Sequence, residues 1–292
     1  MMPLRPLIAA LVCLLTAGVS AVPLRVACVG DSITEGSGLG NSATESYPAK
    51  LQRLLGSVYQ VSNFGVSGRT LLKKGDYPYW KESAYTSSHT SNPDIVLIML
   101  GTNDSKSWNW RYSTNFVSDY LELIATYTNL SSHPRIMLST PCPVFGSGVY
   151  SISPGIVRTN IAPAVRDLGA QLGLEVLDLQ VLLAGHQEWF PDTVHPNSKG
   201  TTVMAALIRS ALLGGPPTGS PPPLDLALAV NNRAVLEWPT DWAGLVLQST
   251  TAIRATNTLW TVVEQVAFND GAAVRVTNPI SGILRLYRLW QP

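Results

Sequence analysis

Four short polar clusters contain the residue types that are needed to cleave an ester. The clusters are Gly30-Asp31-Ser32, Asn63-Phe64-Gly65, Gly101-Thr102-Asn103-Asp104 and Asp192-Thr193-Val194-His195. Acyl transfer to a serine requires a nucleophile, a general base, a group that orients the base and hydrogen-bond donors for the oxyanion. The clusters supply a hydroxyl, an imidazole, carboxylates and an amide, so acyl transfer is the chemistry that they indicate.

Each of these residue types has a specific expected role. Ser32 is the predicted nucleophile, because a serine at a strand-to-helix turn can expose its hydroxyl. His195 is the predicted base, and Asp192, three residues earlier, can bond the other ring nitrogen and fix the tautomer. The backbone N–H groups of Ser32 and Gly65 and the side-chain amide of Asn103 are expected to form the oxyanion hole.

The segments around the clusters must bring them together in space. Apolar stretches of strand length alternate with segments of helical periodicity, which favours a parallel sheet covered by helices on both faces. Strands are expected at residues 24–29, 58–64, 94–100, 135–140 and 174–179, and helices at 47–55, 114–130, 154–172 and 198–212. Pro163 is expected to kink or restart the third of these helices.

The predicted sheet explains how distant clusters can share one site. The first three clusters each follow one of the first three strands, and the carboxyl ends of parallel strands meet at one edge of a sheet. The fourth cluster lies in the loop before the last helix, for which Asn197 is a suitable N-cap. We therefore expect all four clusters at the same edge.

The four clusters together resemble the sequence blocks of the SGNH hydrolase family, also called the GDSL esterase/lipase family. Gly30-Asp31-Ser32, Gly65, Gly101-Thr102-Asn103-Asp104 and Asp192-x-x-His195 match the blocks in order and in spacing. The resemblance implies a flavodoxin-like three-layer α/β/α domain with a five-stranded parallel sheet. It also implies hydrolysis by a serine, with no metal and no other cofactor. Carried over, the triad is Ser32, Asp192 and His195, and the oxyanion hole is Ser32, Gly65 and Asn103.

The N-terminal residues are typical of a secretory signal peptide. A short positive start is followed by the apolar run Leu7 to Leu15 and by small residues that end in Ala21. Residues 1–21 are therefore predicted to be removed after Ala21, which indicates a secreted or periplasmic protein. The apolar run is shorter than the ~20 residues that a membrane span needs, so no stable membrane insertion is expected.

The C-terminal part of the chain has a different pattern. Residues 214–223 read GGPPTGSPPP, which predicts a linker between a catalytic domain at 22–213 and a module at 224–292. Short strand-like segments separated by turn residues fill the module, which favours a small all-β sandwich. We expect this module to be an accessory that contacts polysaccharide or the cell surface. Its tryptophans are expected to be core residues rather than sugar platforms, because so small a fold needs large side chains.

The composition excludes several classes of protein. Hydrophobic residues make up 46% of the 292 residues, which excludes an intrinsically disordered chain. The chain has 20 Lys and Arg against 19 Asp and Glu, so nucleic acid is not an expected partner. The spacing of histidines and carboxylates predicts no metal site.

Two long loops flank the predicted site and bear on its substrate. Residues 67–92 include Arg69 and several aromatic residues, and residues 105–112 include Trp108 and Trp110. Aromatic rings interleaved with polar side chains suit a sugar better than an acyl chain. Arg69, Trp108 and Trp110 are therefore the predicted substrate-binding residues, with packing of the loops as the alternative role.

The favoured function is removal of O-acetyl groups from a carbohydrate, and the loop sequences resemble those of sialate O-acetylesterase-like enzymes. A lipase, lysophospholipase or thioesterase with the same catalytic residues is the first alternative. A catalytically silent protein that binds glycans or surfaces is the second. The sequence leaves the particular small acyl ester or acetylated glycan open.

Overall fold

The computed structural model describes residues 22–146, 149–214, 224–229, 233–240, 245–252, 258–263, 265, 267–269, 273–279 and 285–290. The predicted signal peptide and residues 215–223 of the predicted linker lie outside this range. Within the described residues, no helix combines the length and the apolar character that crossing a membrane requires.

A five-stranded parallel sheet forms the centre of the first domain. Its strands are β1 (Leu24–Gly30), β2 (Tyr59–Gly65), β3 (Ile95–Met99), β4 (Arg135–Ser139) and β5 (Glu175–Leu177). They lie in the order β2-β1-β3-β4-β5, and every neighbouring pair is parallel. In this flavodoxin-like order the direction of winding reverses between β1 and β3, which is where ligands bind in such sheets.

Helices connect the strands and cover the sheet. They are α1 (Ser32–Glu35), α2 (Ser42–Glu45), α3 (Tyr47–Leu55), α4 (Ser83–Thr90), α5 (Ser107–Trp110), α6 (Phe116–Thr128), α7 (Pro154–Ile156), α8 (Ala162–Leu172), α9 (Leu179–Leu182) and α10 (Ser198–Leu212). Successive side chains of a strand point to opposite faces of the sheet, so neighbouring residues of β1 belong to different cores. Val26 and Cys28 of β1 pack in the core that contains α3 and α10, whereas Ala27 and Val29 pack in the core that contains α6 and α8.

The expected three-layer α/β/α architecture is confirmed, with one local difference. The interruption of the helix at 154–172 begins before Pro163, because the five-residue π-helical segment Val157–Ile161 separates α7 from α8. Pro163 is the second residue of α8 and has no N–H to donate to the preceding turn. The wider turn therefore falls where the proline removes a helical hydrogen bond.

The C-terminal strands form two small antiparallel sheets. They are β6 (Asp225–Ala229), β7 (Arg233–Pro239), β8 (Val246–Thr250), β9 (Thr261–Val262), β10 (Phe268–Asn269), β11 (Ala273–Pro279) and β12 (Leu286–Trp290). One sheet has the order β10-β11-β7-β6 and the other β12-β8-β9. Trp238 and Val276 of the first sheet pack with Leu247 of the second, so the two sheets share a core. The expected all-β module is thus confirmed, and β10 is a strand that the sequence pattern did not predict.

The module packs against the first domain through α3 and α10. Val246 and Val262 of the three-stranded sheet belong to the same apolar core as Leu54 of α3. Hydrogen bonds between described residues also cross the boundary, for example from Asn269 Nδ2 to the Leu54 carbonyl at 3.1 Å and from Arg209 Nη2 to the Thr240 carbonyl at 2.9 Å. The described part of the module therefore contacts α3 and α10, which cover the face of the parallel sheet opposite to α6 and α8.

Candidate active site

Ser32 is placed by a very short turn between β1 and α1. Asp31 is the only residue between the strand and the helix, and its Oδ1 accepts the Ile33 N–H at 3.0 Å. A Cβ on Gly30 would lie 2.1 Å from Thr34 Oγ1, so a side chain does not fit at position 30. The turn puts Ser32 at the carboxyl edge of the sheet, beside the point where the winding reverses.

Three predicted residues form one hydrogen-bonded series. His195 Nε2 lies 2.8 Å from Ser32 Oγ, and His195 Nδ1 lies 2.7 Å from Asp192 Oδ2. The second carboxylate oxygen, Oδ1, accepts the backbone N–H groups of Val194 at 3.0 Å and His195 at 2.7 Å. The loop before α10 thus reaches a serine that is 163 residues away in the sequence.

The environment of Asp192 keeps its carboxyl group ionised. Partial burial raises the pKa, but the hydrogen bonds from the His195 backbone and ring and from the Val194 backbone outweigh it, and the pKa of Asp192 is lowered. A carboxylate can only accept a hydrogen bond from Nδ1, so the proton of a neutral His195 belongs on Nδ1. His195 Nε2 is then free to accept the Ser32 hydroxyl proton.

The short turn that carries His195 is conformationally unusual. Thr193 has a φ of 71°, in the left-handed region that β-branched residues seldom adopt. Such conformations persist only where the surroundings hold them, and here the Thr193 N–H donates to the Phe190 carbonyl while its own carbonyl accepts the Phe145 N–H, at 2.9 and 3.0 Å. The turn brings Asp192 and His195 close enough to bond each other.

The helix that follows His195 is fixed by a buried lysine. Lys50 of α3 is only 1% exposed. Its Nζ donates to Ser198 Oγ and Thr201 Oγ1 at 2.9 Å and to Thr202 Oγ1 at 3.0 Å, all in the first turns of α10. Because α10 begins three residues after His195, this contact holds the end of the loop that carries His195 against α3.

Asn103 lies four residues after the end of β3. In the sheet, β3 is next to β1 on the side away from β2. The Asn103 side chain is buried, and Nδ2 donates one hydrogen bond to the Arg69 carbonyl at 3.1 Å. A side-chain amide has two N–H groups, so one remains for an oxyanion. The Ser32 N–H stands at the start of α1, where a helix provides no acceptor for it. Ser32 and Asn103 are therefore the two predicted donors that each have an N–H group available for an oxyanion.

Gly65 differs from the other two predicted donors. Its N–H already donates to Asn63 Oδ1 at 2.9 Å, and Asn63 Nδ2 donates to the Thr34 carbonyl at 2.8 Å. A Cβ at position 65 would lie 2.2 Å from the Glu35 nitrogen, so only glycine allows β2 to approach α1 this closely. An oxyanion would have to share or replace the bond with Asn63.

Asp104 has a clear structural task that its sequence position did not reveal. Its Oδ1 accepts the Leu72 N–H at 2.7 Å and its Oδ2 accepts the Leu71 N–H at 3.0 Å. Burial raises the pKa of Asp104 to about 7, against the effect of these two bonds. The carboxyl group therefore holds the loop after β2 against the segment that carries Asn103.

The three predicted substrate residues have different surroundings. The Arg69 guanidinium donates to Glu82 Oε1 at 2.8 Å and to the Ser67 carbonyl at 2.6 Å, so its position is fixed. Trp108 is 43% exposed. Trp110 is half-buried and packs against the core, with its ring centroid 5.6 Å from that of Phe116, so that part of its side chain stays accessible to solvent.

Tyr150 is a neighbour of the triad that the sequence did not indicate. Its hydroxyl donates to Asp192 Oδ2 at 3.3 Å, and its ring centroid lies 5.4 Å from that of His195. Tyr150 has a φ of 50° and follows no motif, and 42 residues separate it from Asp192. No spacing rule could have linked the two.

Across the described residues, no three His, Cys, Asp or Glu side chains are grouped as metal ligands.

Comparison with known proteins supports the expected family. Residues 28–203 match the sequence profile of the GDSL-like Lipase/Acylhydrolase family, which is a family of carboxylic ester hydrolases. This stretch covers most of the first domain and includes all four clusters. The resemblance inferred from the clusters is thereby confirmed.

Individual relatives agree with this match. An acetylxylan esterase from Xylanibacter ruminicola is 38% identical in an alignment of 207 residues that covers 65% of this chain and 43% of that protein. The chain thus spans less than half the length of this curated relative. A carbohydrate acetylesterase family member from Sinorhizobium meliloti is 25% identical with a TM-score of 0.50, over 61% of this chain and 92% of that one. The M. smegmatis aryl esterase in its inhibitor-bound form shares the fold at 16% identity, with a TM-score of 0.52, over 65% and 99% of the two chains.

Proposed function

The chain belongs to the GDSL-like lipase/acylhydrolase family, and from this premise we propose that it is a serine esterase that removes O-acetyl groups from a carbohydrate. The observation that carries the proposal is the continuous series from Ser32 Oγ through His195 to Asp192, with contacts of 2.8 and 2.7 Å. A serine hydroxyl bonded to an imidazole whose other nitrogen faces a carboxylate is an activated nucleophile.

Acylation uses the atoms that this series brings together. The Ser32 oxygen attacks the acetyl carbonyl carbon while His195 Nε2 takes the hydroxyl proton. The carbonyl electrons move to oxygen, and the resulting oxyanion accepts hydrogen bonds from the Ser32 N–H and the Asn103 amide, with Gly65 as the third donor. When the carbon–oxygen bond to the sugar breaks, His195 returns its proton to the departing hydroxyl.

Deacylation repeats the same steps with water as the attacking group. His195 Nε2 takes a proton from the water that attacks the acetyl-Ser32 ester, and the second oxyanion is held by the same donors. Collapse of this intermediate releases acetate and gives the proton back to Ser32. Asp192 remains ionised in both steps and stabilises the imidazolium that forms transiently.

The substrate class rests on the relatives and on the loops beside the site. One curated relative carries the name acetylxylan esterase and is 38% identical to this chain over 207 aligned residues. The loops that flank Asn103 present Trp108 together with charged and amide side chains. A polar rim of this kind suits an acetylated polysaccharide, of which acetylated xylan is the candidate substrate.

A series of esters whose acyl groups differ in length tests this function. The mature protein and Ser32→Ala are assayed on 4-nitrophenyl acetate, butyrate and octanoate, and acetate release is measured from acetylated xylan. A preference for acetate over octanoate, together with acetate release that is lost in Ser32→Ala, is the expected result. Equal or faster turnover of octanoate would instead favour a lipase or thioesterase, and turnover that persists in Ser32→Ala would contradict the mechanism.

We also propose the export and the division of the chain that the sequence predicts. Residues 1–21 are a signal peptide, residues 22–213 the catalytic domain, 214–223 a linker and 224–292 an accessory module that contacts polysaccharide or the cell surface. N-terminal sequencing of the exported protein should begin at Val22. A chain that keeps Met1 after export, or that stays in the cytoplasm, would contradict the proposed signal.

A further inference from the structure

We propose that Tyr77 and Trp108 form an aromatic platform that binds unsubstituted xylosyl residues next to the acetylated one. The inference rests on the proposed function and adds a subsite for the polysaccharide chain. Both residues keep large exposed fractions, 58% for Tyr77 and 43% for Trp108. Exposed rings occur singly on most surfaces, so what matters here is how these two are held together.

A single carboxylate joins the two aromatic residues. Asp76 Oδ2 accepts the Trp108 indole N–H at 2.8 Å, and Asp76 Oδ1 accepts the Tyr77 backbone N–H at 3.0 Å. Asp76 lies in the loop after β2, whereas Trp108 belongs to α5, so the bond connects the two loops that flank the site. The Trp108 ring and the Tyr77 backbone are thus held by the same carboxylate, while much of each side chain remains in contact with solvent.

The carboxylate is itself held by a buried amide. Asn109 is 1% exposed, and its Nδ2 donates to Asp76 Oδ1 while its Oδ1 accepts the Asp76 N–H, both at 2.9 Å. Partial burial raises the pKa of Asp76, but hydrogen bonds from Trp108 and Asn109 outweigh it, and the pKa is lowered. Asp76 is therefore charged at neutral pH, and the platform is assembled before any ligand arrives.

Two separate contacts place the platform beside the oxyanion donor Asn103. The Asn109 Nδ2 that bonds Asp76 also donates to the Asn103 carbonyl at 2.9 Å. The Asn103 amide donates to the Arg69 carbonyl at 3.1 Å, and the Arg69 guanidinium lies 5.5 Å from the centre of the Tyr77 ring. A polymer whose acetyl group reaches Asn103 would therefore pass over the platform.

The chemistry of the platform favours a sugar over an acyl chain. A pyranose presents an apolar C–H face and a rim of hydroxyls, which matches a flat ring surrounded by hydrogen-bonding groups. Around these rings the groups are Asp76, Arg69 and the Lys106 ammonium, which lowers the pKa of Asp76 through its charge. An acyl chain would gain the ring contact but would lie against charged groups that it cannot bond.

Direct binding tests the platform without requiring catalysis. Xylohexaose is titrated into Ser32→Ala and into Ser32→Ala combined with Trp108→Ala, by calorimetry. Loss of one buried aromatic contact at a binding surface should raise the Kd about tenfold or more. Leu172→Ala serves as the matched control, because Leu172 is 40% exposed at the end of α8. Absence of binding in the Ser32→Ala parent, or an equal Kd in both proteins, would overturn the proposal.

A kinetic comparison separates this inference from the proposed function. In Trp108→Ala, kcat/KM on acetylated xylan should fall about tenfold more than kcat/KM on 4-nitrophenyl acetate, mainly through KM. Tyr77→Ala should shift the same ratio in the same direction. Equal losses on both substrates would contradict the platform. If the parent protein releases no acetate from acetylated xylan, the proposed function fails, and the xylohexaose titration still decides the platform.

Discussion

Asp192 bonds His195 at two points, since Oδ1 accepts its backbone N–H at 2.7 Å and Oδ2 lies 2.7 Å from its ring Nδ1. One carboxylate therefore fixes both the backbone and the imidazole of the same residue. The orientation of the His195 imidazole is set within a turn of four residues, which the bond from the Phe145 N–H to the Thr193 carbonyl helps to hold.

Replacing Asp192 by asparagine should therefore lower kcat strongly with little change in fold. The amide can present an N–H to Nδ1 and so favour the wrong tautomer, for which losses of up to about 10⁴ in kcat are known in serine triads. Tyr150→Phe is the matched comparison, because Tyr150 bonds the same Oδ2 at 3.3 Å. We expect that change to cost less than about fivefold, the effect of a single weak hydrogen bond. Steady-state kinetics on 4-nitrophenyl acetate would contradict the assignment if the two variants lost equal activity.

Removal of the Asn103 side chain should lower turnover more than binding. Asn103→Ala is expected to reduce kcat by about 10²–10³ while KM changes little, because the oxyanion exists only in the transition state. The variant also leaves the Arg69 carbonyl without its donor, so thermal unfolding should be recorded alongside. Asn129→Ala, at the exposed end of α6, provides the control and should match the parent. A rise in KM at constant kcat would show that Asn103 holds the ground-state ester instead.

Gly65 should be intolerant of even one added carbon. In Gly65→Ala the new Cβ would lie 2.2 Å from the Glu35 nitrogen and 2.6 Å from the Thr34 carbonyl carbon, both backbone atoms. Overpacking of this kind costs about 1–3 kcal/mol or more. In Gly155→Ala the nearest atom is Ser153 Oγ at 3.9 Å, so stability should change by less than about 0.5 kcal/mol. Urea unfolding of both variants measures the difference, and equal stabilities would contradict the packing of β2 on α1.

The buried Asp104 predicts a pH dependence of stability. Its pKa is about 7 in the folded protein against an ordinary value of 3.8, so between about pH 4 and 7 the folded state holds a proton that the unfolded state releases. The contribution of Asp104 to stability is therefore present below pH 4 and is lost as pH rises to 7, by up to about 4 kcal/mol.

Asp104→Asn isolates this effect, although it should destabilise the protein at every pH. Asp104 accepts N–H groups with both oxygens, from Leu72 and from Leu71, and an asparagine can accept only one of them. Because the amide that replaces the carboxyl group does not titrate, the melting temperature of the parent should exceed that of the variant by the most near pH 4 and by the least near pH 7. A difference that grows as pH rises would contradict the raised pKa.

Much of the first domain and of its site could be predicted from the sequence. The apolar runs that become β1 to β5 differ in pattern from the helical segments, and the clusters after β1, β2 and β3 had to converge once the sheet was parallel. Asn197 was expected to cap the last helix, and its side chain accepts the Gly200 N–H at 3.0 Å. These features depend on local pattern and on topology, which a sequence displays directly.

Contacts between loops could not be predicted in the same way. Asp76, Asp104 and Tyr150 act through partners that lie 32 or more residues away in the sequence, and nothing in their local pattern marks those partners. The same limit applies to the packing of Trp110 against Phe116, which only the fold defines. The bond from Gly65 to Asn63 likewise depends on a side-chain orientation that only the folded turn defines.

In the proposed mechanism His195 activates Ser32 as the nucleophile, and covalent labelling tests this role directly. Ser32 is 5% exposed, and an ordinary serine reacts negligibly with an alkyl fluorophosphonate. Incubation of the protein with such a probe, followed by peptide mass spectrometry, should give one adduct per chain, located on Ser32. Labelling should be absent in Ser32→Ala and slower by at least about 10² in His195→Ala. An adduct on another residue would contradict Ser32 as the nucleophile, and equal labelling of the parent and His195→Ala would contradict His195 as its base.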